Sequence, residues 1–146
     1  MVTKELVEMK ISSRFTVATH ILSLIATQEP PLTSDRIAGS VNTNPVVIRR
    51  ISGQLKKAGL IAIKAGTGGA TLLKPLWEIT LLEVYKAVDS VEDGELFQFH
   101  ENPNPNCEVG AHIQGAMEQT LIDAQTAMEQ VLAEKTMADV VESIKA

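Results

Sequence analysis

Along most of this chain apolar residues return at steps of three and four, and between positions 60 and 73 that rhythm gives way to two short runs around a glycine cluster. Steps of three and four stack side chains on one face of a helix, whereas short β-branched runs beside a turn signal read as strands. A first helix is expected over Ser12 to Ala26, with Phe15, Ala18, Ile21, Leu22 and Ile25 on one stripe behind Ser12 and Ser13 as caps. A shorter helix opens at Leu32-Thr33-Ser34, capped by Thr33 or Ser34, with Leu32, Ile37 and Val41 as its apolar contacts and a turn at Ser40 to Thr43. Asn44 as cap and Pro45 at the first helical position start a third, in which Ile48, Ile51 and Leu55 share a face while Arg49, Arg50, Gln54 and Lys57 point elsewhere. Gly59 ends it, just after Lys56 and Lys57, whose charge suits the negative end of the helix dipole. Leu60 to Ile63, Gly66 to Gly69 and Ala70 to Leu73 then read as a strand, a turn and a strand.

Beyond the hairpin, Pro75 stops the second strand and Thr80 can cap a helix from Leu81 to Val91, with Leu82, Val84, Tyr85 and Val88 available for packing. Glu92-Asp93-Gly94 breaks it, and a loop rich in proline and asparagine carries Cys107. From Val109 to about Glu134 an apolar seam of Val109, Ile113, Ala116 or Met117, Leu121, Ala124, Met128, Val131 and Leu132 alternates steps of three and four. Such a helix is ~39 Å long at 1.5 Å per residue, more than one small domain can cover. The simplest cover is the same helix of a second chain, so Ile113, Met117, Leu121, Ala124, Met128 and Val131 are read as a homodimer seam. A short closing helix, Met137 to Ile144 behind Thr136, ends the appendage.

A short helix, a turn and a cationic helix followed by a glycine-tipped hairpin form a winged helix-turn-helix. The fold class is mainly α with a small β-wing. Its parts are an extension or alternative start at 1–8, the winged domain at 9–91, the Cys107 loop at 92–108, and the dimerisation and closing helices at 109–146. A basic helix face by itself is ordinarily solvated surface, and a GxGG turn by itself is structural; in this order they point to double-stranded DNA.

Charge sharpens that reading. Residues 1–77 hold ten Lys or Arg against four Asp or Glu, a balance of +6, and residues 78–146 hold three against fourteen, a balance of −11. The net charge of −5 therefore hides a basic face able to collect phosphates. One Trp, one Tyr and three Phe provide little stacking surface for single strands. No run approaches the ~20 apolar residues of a membrane span, and the first ten residues lack a signal-type apolar stretch, so a cytoplasmic protein is expected. A single cysteine excludes an internal disulfide.

An enzyme is the rival class: Cys107 with His100 or His112, and a carboxylate from Glu83, Glu101 or Glu108, could imitate a nucleophile and its base. Nothing in the spacing fixes their geometry, and GTGGAT lacks the lysine and following helix of a phosphate loop. A second rival keeps the fold but acts as a protein-interaction or metabolite-responsive regulator with a merely structural Cys107. The plain reading of a lone cysteine is an inert packing or loop residue. The alternative is a redox switch at the front of the long helix, favoured there by the helix dipole and opposed by the acidic Glu101 and Glu108.

KISSRFTVA, LKKAGLI, AGTGGATL, ITLLEVYKAV and HENPNPNCEVG together resemble the Rrf2 family of bacterial winged-helix transcription regulators, over nearly the whole chain. HENPNPNC with VNTNPVVIRR is similar to its YwnA-like subgroup. Members begin at the equivalent of Met9. The resemblance implies a homodimer on an imperfect palindrome, acting as a repressor that lets go on a redox, iron, nitrosative or metabolite signal. It places Asn44, Val46, Val47, Arg49 and Arg50 toward the major groove and the wing from Lys64 to Thr71, Lys64 and Thr67 included, on the minor groove. Ala65 stands where many relatives carry a wing-tip arginine, which shifts minor-groove reading toward Lys64. Ser12, Ser13, Arg14, Thr33, Ser34, Lys56 and Lys57 are the expected phosphate contacts. Several relatives hold an iron–sulfur cluster with three cysteines in this loop; with Cys107 alone, no cofactor and no metal are expected.

Overall fold

The structure, a computed structural model, describes residues 12–66, 69–89 and 99–145. In order the elements are α1 (Ser12–Thr27), α2 (Ser34–Val41), α3 (Pro45–Lys57), β1 (Ile61–Ile63), β2 (Ala70–Leu72), a 3-10 turn (Leu76–Glu78), α4 (Leu81–Val88), α5 (Glu108–Ala133) and α6 (Met137–Lys145). They fall into two units, Met1–Ser90 with Leu132–Ala146, and Val91–Val131. The mainly helical architecture with a two-stranded wing is the one the apolar pattern predicts.

Local chemistry explains most boundaries. The Thr33 hydroxyl accepts from the Arg36 N–H, which starts α2, and Asn42 in the left-handed region (φ 67°) ends it. Asparagine tolerates that conformation better than most residues, so α2 runs through Ser40 and Val41 and the turn begins later than the sequence suggests. Ser13 lies inside α1, so it is no cap. Gly59, at φ 82°, turns the chain out of α3, and the Leu60 N–H returns to the Leu55 carbonyl. β1 and β2 pair antiparallel with Ala62 opposite Thr71, and Ala70 N–H reaches the Leu32 carbonyl on the outer side. At α4 a reciprocal pair forms: Thr80 accepts from the Glu83 N–H while Glu83 accepts from the Thr80 N–H. α4 stops at Val88, with Asp89 already out of helical geometry, short of the Val91 expected from the sequence; residues 90 and 91 lie outside the described residues.

Ala18, Ile21 and Leu22 of α1, Ile37 of α2, Ile48, Ile51 and Leu55 of α3, Ile61 of β1 and Val84 and Val88 of α4 meet in one buried core. Each fully buried Leu or Ile contributes ~1.5–3 kcal/mol of apolar burial. The sequence reading placed α6 at the end of an appendage, and here the structure differs. Met137 is fully buried within that same core, Thr136 bridges Thr80, Leu81 N–H reaches the Lys135 carbonyl and Met137 N–H the Ile79 carbonyl. The closing helix thus completes the winged unit.

Asp89, at the end of α4, has a fully buried side chain whose carboxylate oxygen Oδ1 lies 3.1 Å from the Arg14 guanidinium. Burial pushes its carboxyl up to about 6 from 3.8, against the pull of the Arg14 charge and contact. A raised carboxyl favours the folded state in full below ~3.8 and loses that contribution as pH rises through about 6. The melting temperature of the wild type relative to Asp89→Asn is therefore expected to fall, on the order of a few degrees, between pH 4.5 and 7.5. A difference that stays flat over that window would refute this account.

Candidate nucleic-acid interface

α3 divides cleanly into two faces. Ile48, Ile51, Ser52 and Leu55 are buried, and the Asn44 side chain accepts from the Val47 N–H at 3.0 Å, fixing where the helix starts. Val46 is 58% exposed, while Val47 is partly buried and packs on the core, so of these two only Val46 presents its side chain outward. Arg49, Arg50, Gly53, Lys56 and Lys57 are exposed.

The four arginines of the chain have two different fates. Arg14 donates from Nε to the Val88 carbonyl at 3.0 Å and pairs with Asp89, so the residue expected on a phosphate ties the end of α4 to α1. Arg36 donates to the Glu29 and Pro31 carbonyls and holds the segment before α2. Arg49 and Arg50 make no hydrogen bond or ion pair among the described residues. A guanidinium with no partner inside the protein keeps its five donors for a ligand.

Around α3, Thr33 uses its hydroxyl as a cap and Ser34 is half-buried in the first turn of α2, whereas Ser13 is exposed on α1. Ser12 begins α1, and its side chain lies outside the described residues, as does Thr67. Lys64 is exposed at the foot of the wing, and its N–H closes the hairpin on the Gly69 carbonyl at 2.8 Å. Glu83, a carboxylate the enzyme reading needed, is held structurally. Burial works against its charge, but Lys74 at 2.9 Å and the Thr80 N–H outweigh that and hold it below the usual carboxylate range.

In the second unit Cys107 is exposed, in the turn just before α5. Its N–H donates to the Asn104 carbonyl, and the Asn104 side chain accepts from the Asn106 N–H. Gly110 makes the fold of this loop possible: a β-carbon there would stand 2.4 Å from the Asn104 carbonyl oxygen. Along α5 no residue is buried. Ile113, Leu121 and Met128 are half-covered, and Met117, Ala124 and Val131 are exposed. Gly53 was not singled out from the sequence, although a glycine in the middle of a well-capped helix is itself a signal. Among the described residues no helix is long and apolar enough to cross a membrane.

Residues 11–143 match the model of a family described as Rrf2, iron-dependent transcriptional regulator. A protein of Bacillus subtilis (strain 168), named as the HTH-type transcriptional regulator YwnA, is 53% identical over 130 residues, which are 89% of this chain and 96% of that one. The crystal structure of a DNA-binding protein, 46% identical, superposes with a TM-score of 0.70 over 87% of this chain and 97% of the other. Staphylococcus aureus CymR in its oxidized form, 22% identical, shares the fold with a TM-score of 0.67 over 91% of this chain and 96% of that one. The matched family and the YwnA relative are described as transcriptional regulators, not as enzymes.

Proposed function

The chain belongs to the Rrf2 family of DNA-binding transcriptional regulators, and from that premise we propose a homodimeric, sequence-specific repressor that responds to oxidation at Cys107. The observation that carries the DNA reading is the pair Arg49 and Arg50, unpartnered among the described residues on a helix whose opposite face is locked into the core. Two such helices, related by a two-fold axis, would read two half-sites one helical turn apart. Repression then follows from occupying promoter DNA. α5 supports the dimer, because a 26-residue helix with an apolar seam and no buried residue needs a partner surface.

The oxidation reading rests on the exposure of Cys107 in the turn ahead of that helix. An accessible thiol can be converted to a sulfenic acid by peroxide and returned by a reductant. An iron centre does not fit the same loop. Cluster iron takes about four ligands, chiefly thiolates, and the sequence offers one. His112 already engages the Glu108 carbonyl through Nδ1, and among the described residues no three His, Cys, Asp or Glu side chains are grouped to hold a metal ion.

The test is binding of the purified protein to a duplex enriched from random DNA by the wild type, at fixed near-physiological salt, with and without hydrogen peroxide. Tight binding that peroxide reverses in the wild type and leaves intact in Cys107→Ser is the expected result. Release of both proteins, or of neither, would remove Cys107 from the mechanism and favour a metabolite or protein signal.

A further inference from the structure

We propose that Gly53 is a clearance position in the DNA interface, where the recognition helix omits a side chain so that the sugar–phosphate backbone of the duplex can lie against it. Gly53 sits in the interior of α3, where glycine is less favourable than alanine because it has more backbone freedom to lose. Nothing among the described residues accounts for that choice. Its backbone is helical, with no positive φ, and a β-carbon added there would meet no atom within 4 Å. Alanine would therefore fit the chain by itself and stabilise the helix.

Position supplies the reason. Gly53 follows Arg49 and Arg50 by four and three residues and precedes Lys57 by four, so all four lie on the exposed face opposite Ile48, Ile51 and Leu55. The notch is central to a cationic surface on a helix that contains no acidic residue. Gly39 and Gly115 also face open space, but without such company. Their neighbours at three and four residues include no cation other than Arg36, which is committed to the Glu29 and Pro31 carbonyls. A polyanion drawn to Arg49, Arg50 and Lys57 would meet helix backbone at Gly53, and a side chain there would hold it away.

This inference rests on the DNA-binding reading of α3. It is tested with Gly53→Ala and Gly53→Gln on the duplex enriched by the wild type, measuring affinity across a salt series together with the melting temperature. Gly53→Ala is expected to melt higher and bind a few-fold more weakly. Gly53→Gln should melt no lower than the wild type and lose at least tenfold in affinity with an unchanged salt slope, because it obstructs contact without removing charge. Lys57→Ala, by contrast, should lower the slope by about one. Gly53→Gln binding within twofold of wild type would overturn the proposal, as would a parallel loss of thermal stability. If the wild type enriches no duplex, the DNA reading itself fails and this inference falls with it.

Discussion

Replacing Arg49 and Arg50 together by alanine is expected to weaken binding to the enriched duplex by two to four orders of magnitude while leaving the melting temperature unchanged. Each arginine contributes ~1–3 kcal/mol if it reaches a guanine bidentately. Both side chains are exposed on the face opposite Ile48, Ile51 and Leu55, so their loss removes no packing. The single variants separate base reading from phosphate contact. An arginine on a base relaxes sequence preference when lost, whereas one on a phosphate weakens all sequences alike and lowers the salt slope by about one. A double variant that binds the duplex like the wild type would show that Arg49 and Arg50 do not carry DNA recognition and would overturn this account of α3.

Leu121→Asp combined with Met128→Asp should sediment as a monomer where the wild type is expected to sediment as a dimer, and should bind the enriched duplex at least a hundredfold more weakly. Two carboxylates on one apolar seam must lose their water wherever a second helix covers them, a penalty of several kcal/mol for each charge. Both positions are only half-covered in the chain by itself, so a carboxylate there can still reach water. Helical content should therefore persist while association fails. A wild type already monomeric at micromolar concentration, or a variant still dimeric, would sink the assignment of this seam.

Much of the winged core is legible in the sequence because its signals are local. Asn44, Pro45 and Gly59 mark α3 to within two residues, and the glycines between Ile63 and Ala70 mark the wing. Where signals are distant or shared, reading fails. Met137 and Val141 look like one side of a surface helix, and nothing near them in sequence says that the helix packs on α1 and the 3-10 turn. Arg14 reads as a free cation because its acceptors, Val88 and Asp89, are more than seventy residues away. At the candidate site the exposed faces of Arg49, Arg50 and Lys57 follow from helical spacing. Thr33 and Asn44 are occupied as caps, which the same spacing also foretold.

The burial of Met137 also bears on synthesis at the ribosome. The other members of the core lie between residues 18 and 88, and the last one arrives only after some fifty more residues have been made. A nascent chain that has already extruded its wing still lacks the methionine side chain that closes its interior. Molecules released early, or clipped between α4 and α6, would leave a gap where Met137 packs beside α1 and the 3-10 turn. Stability of the winged unit is thereby expected to depend on synthesis having passed α6, so a chain ending between α4 and α6 should melt lower than the full one.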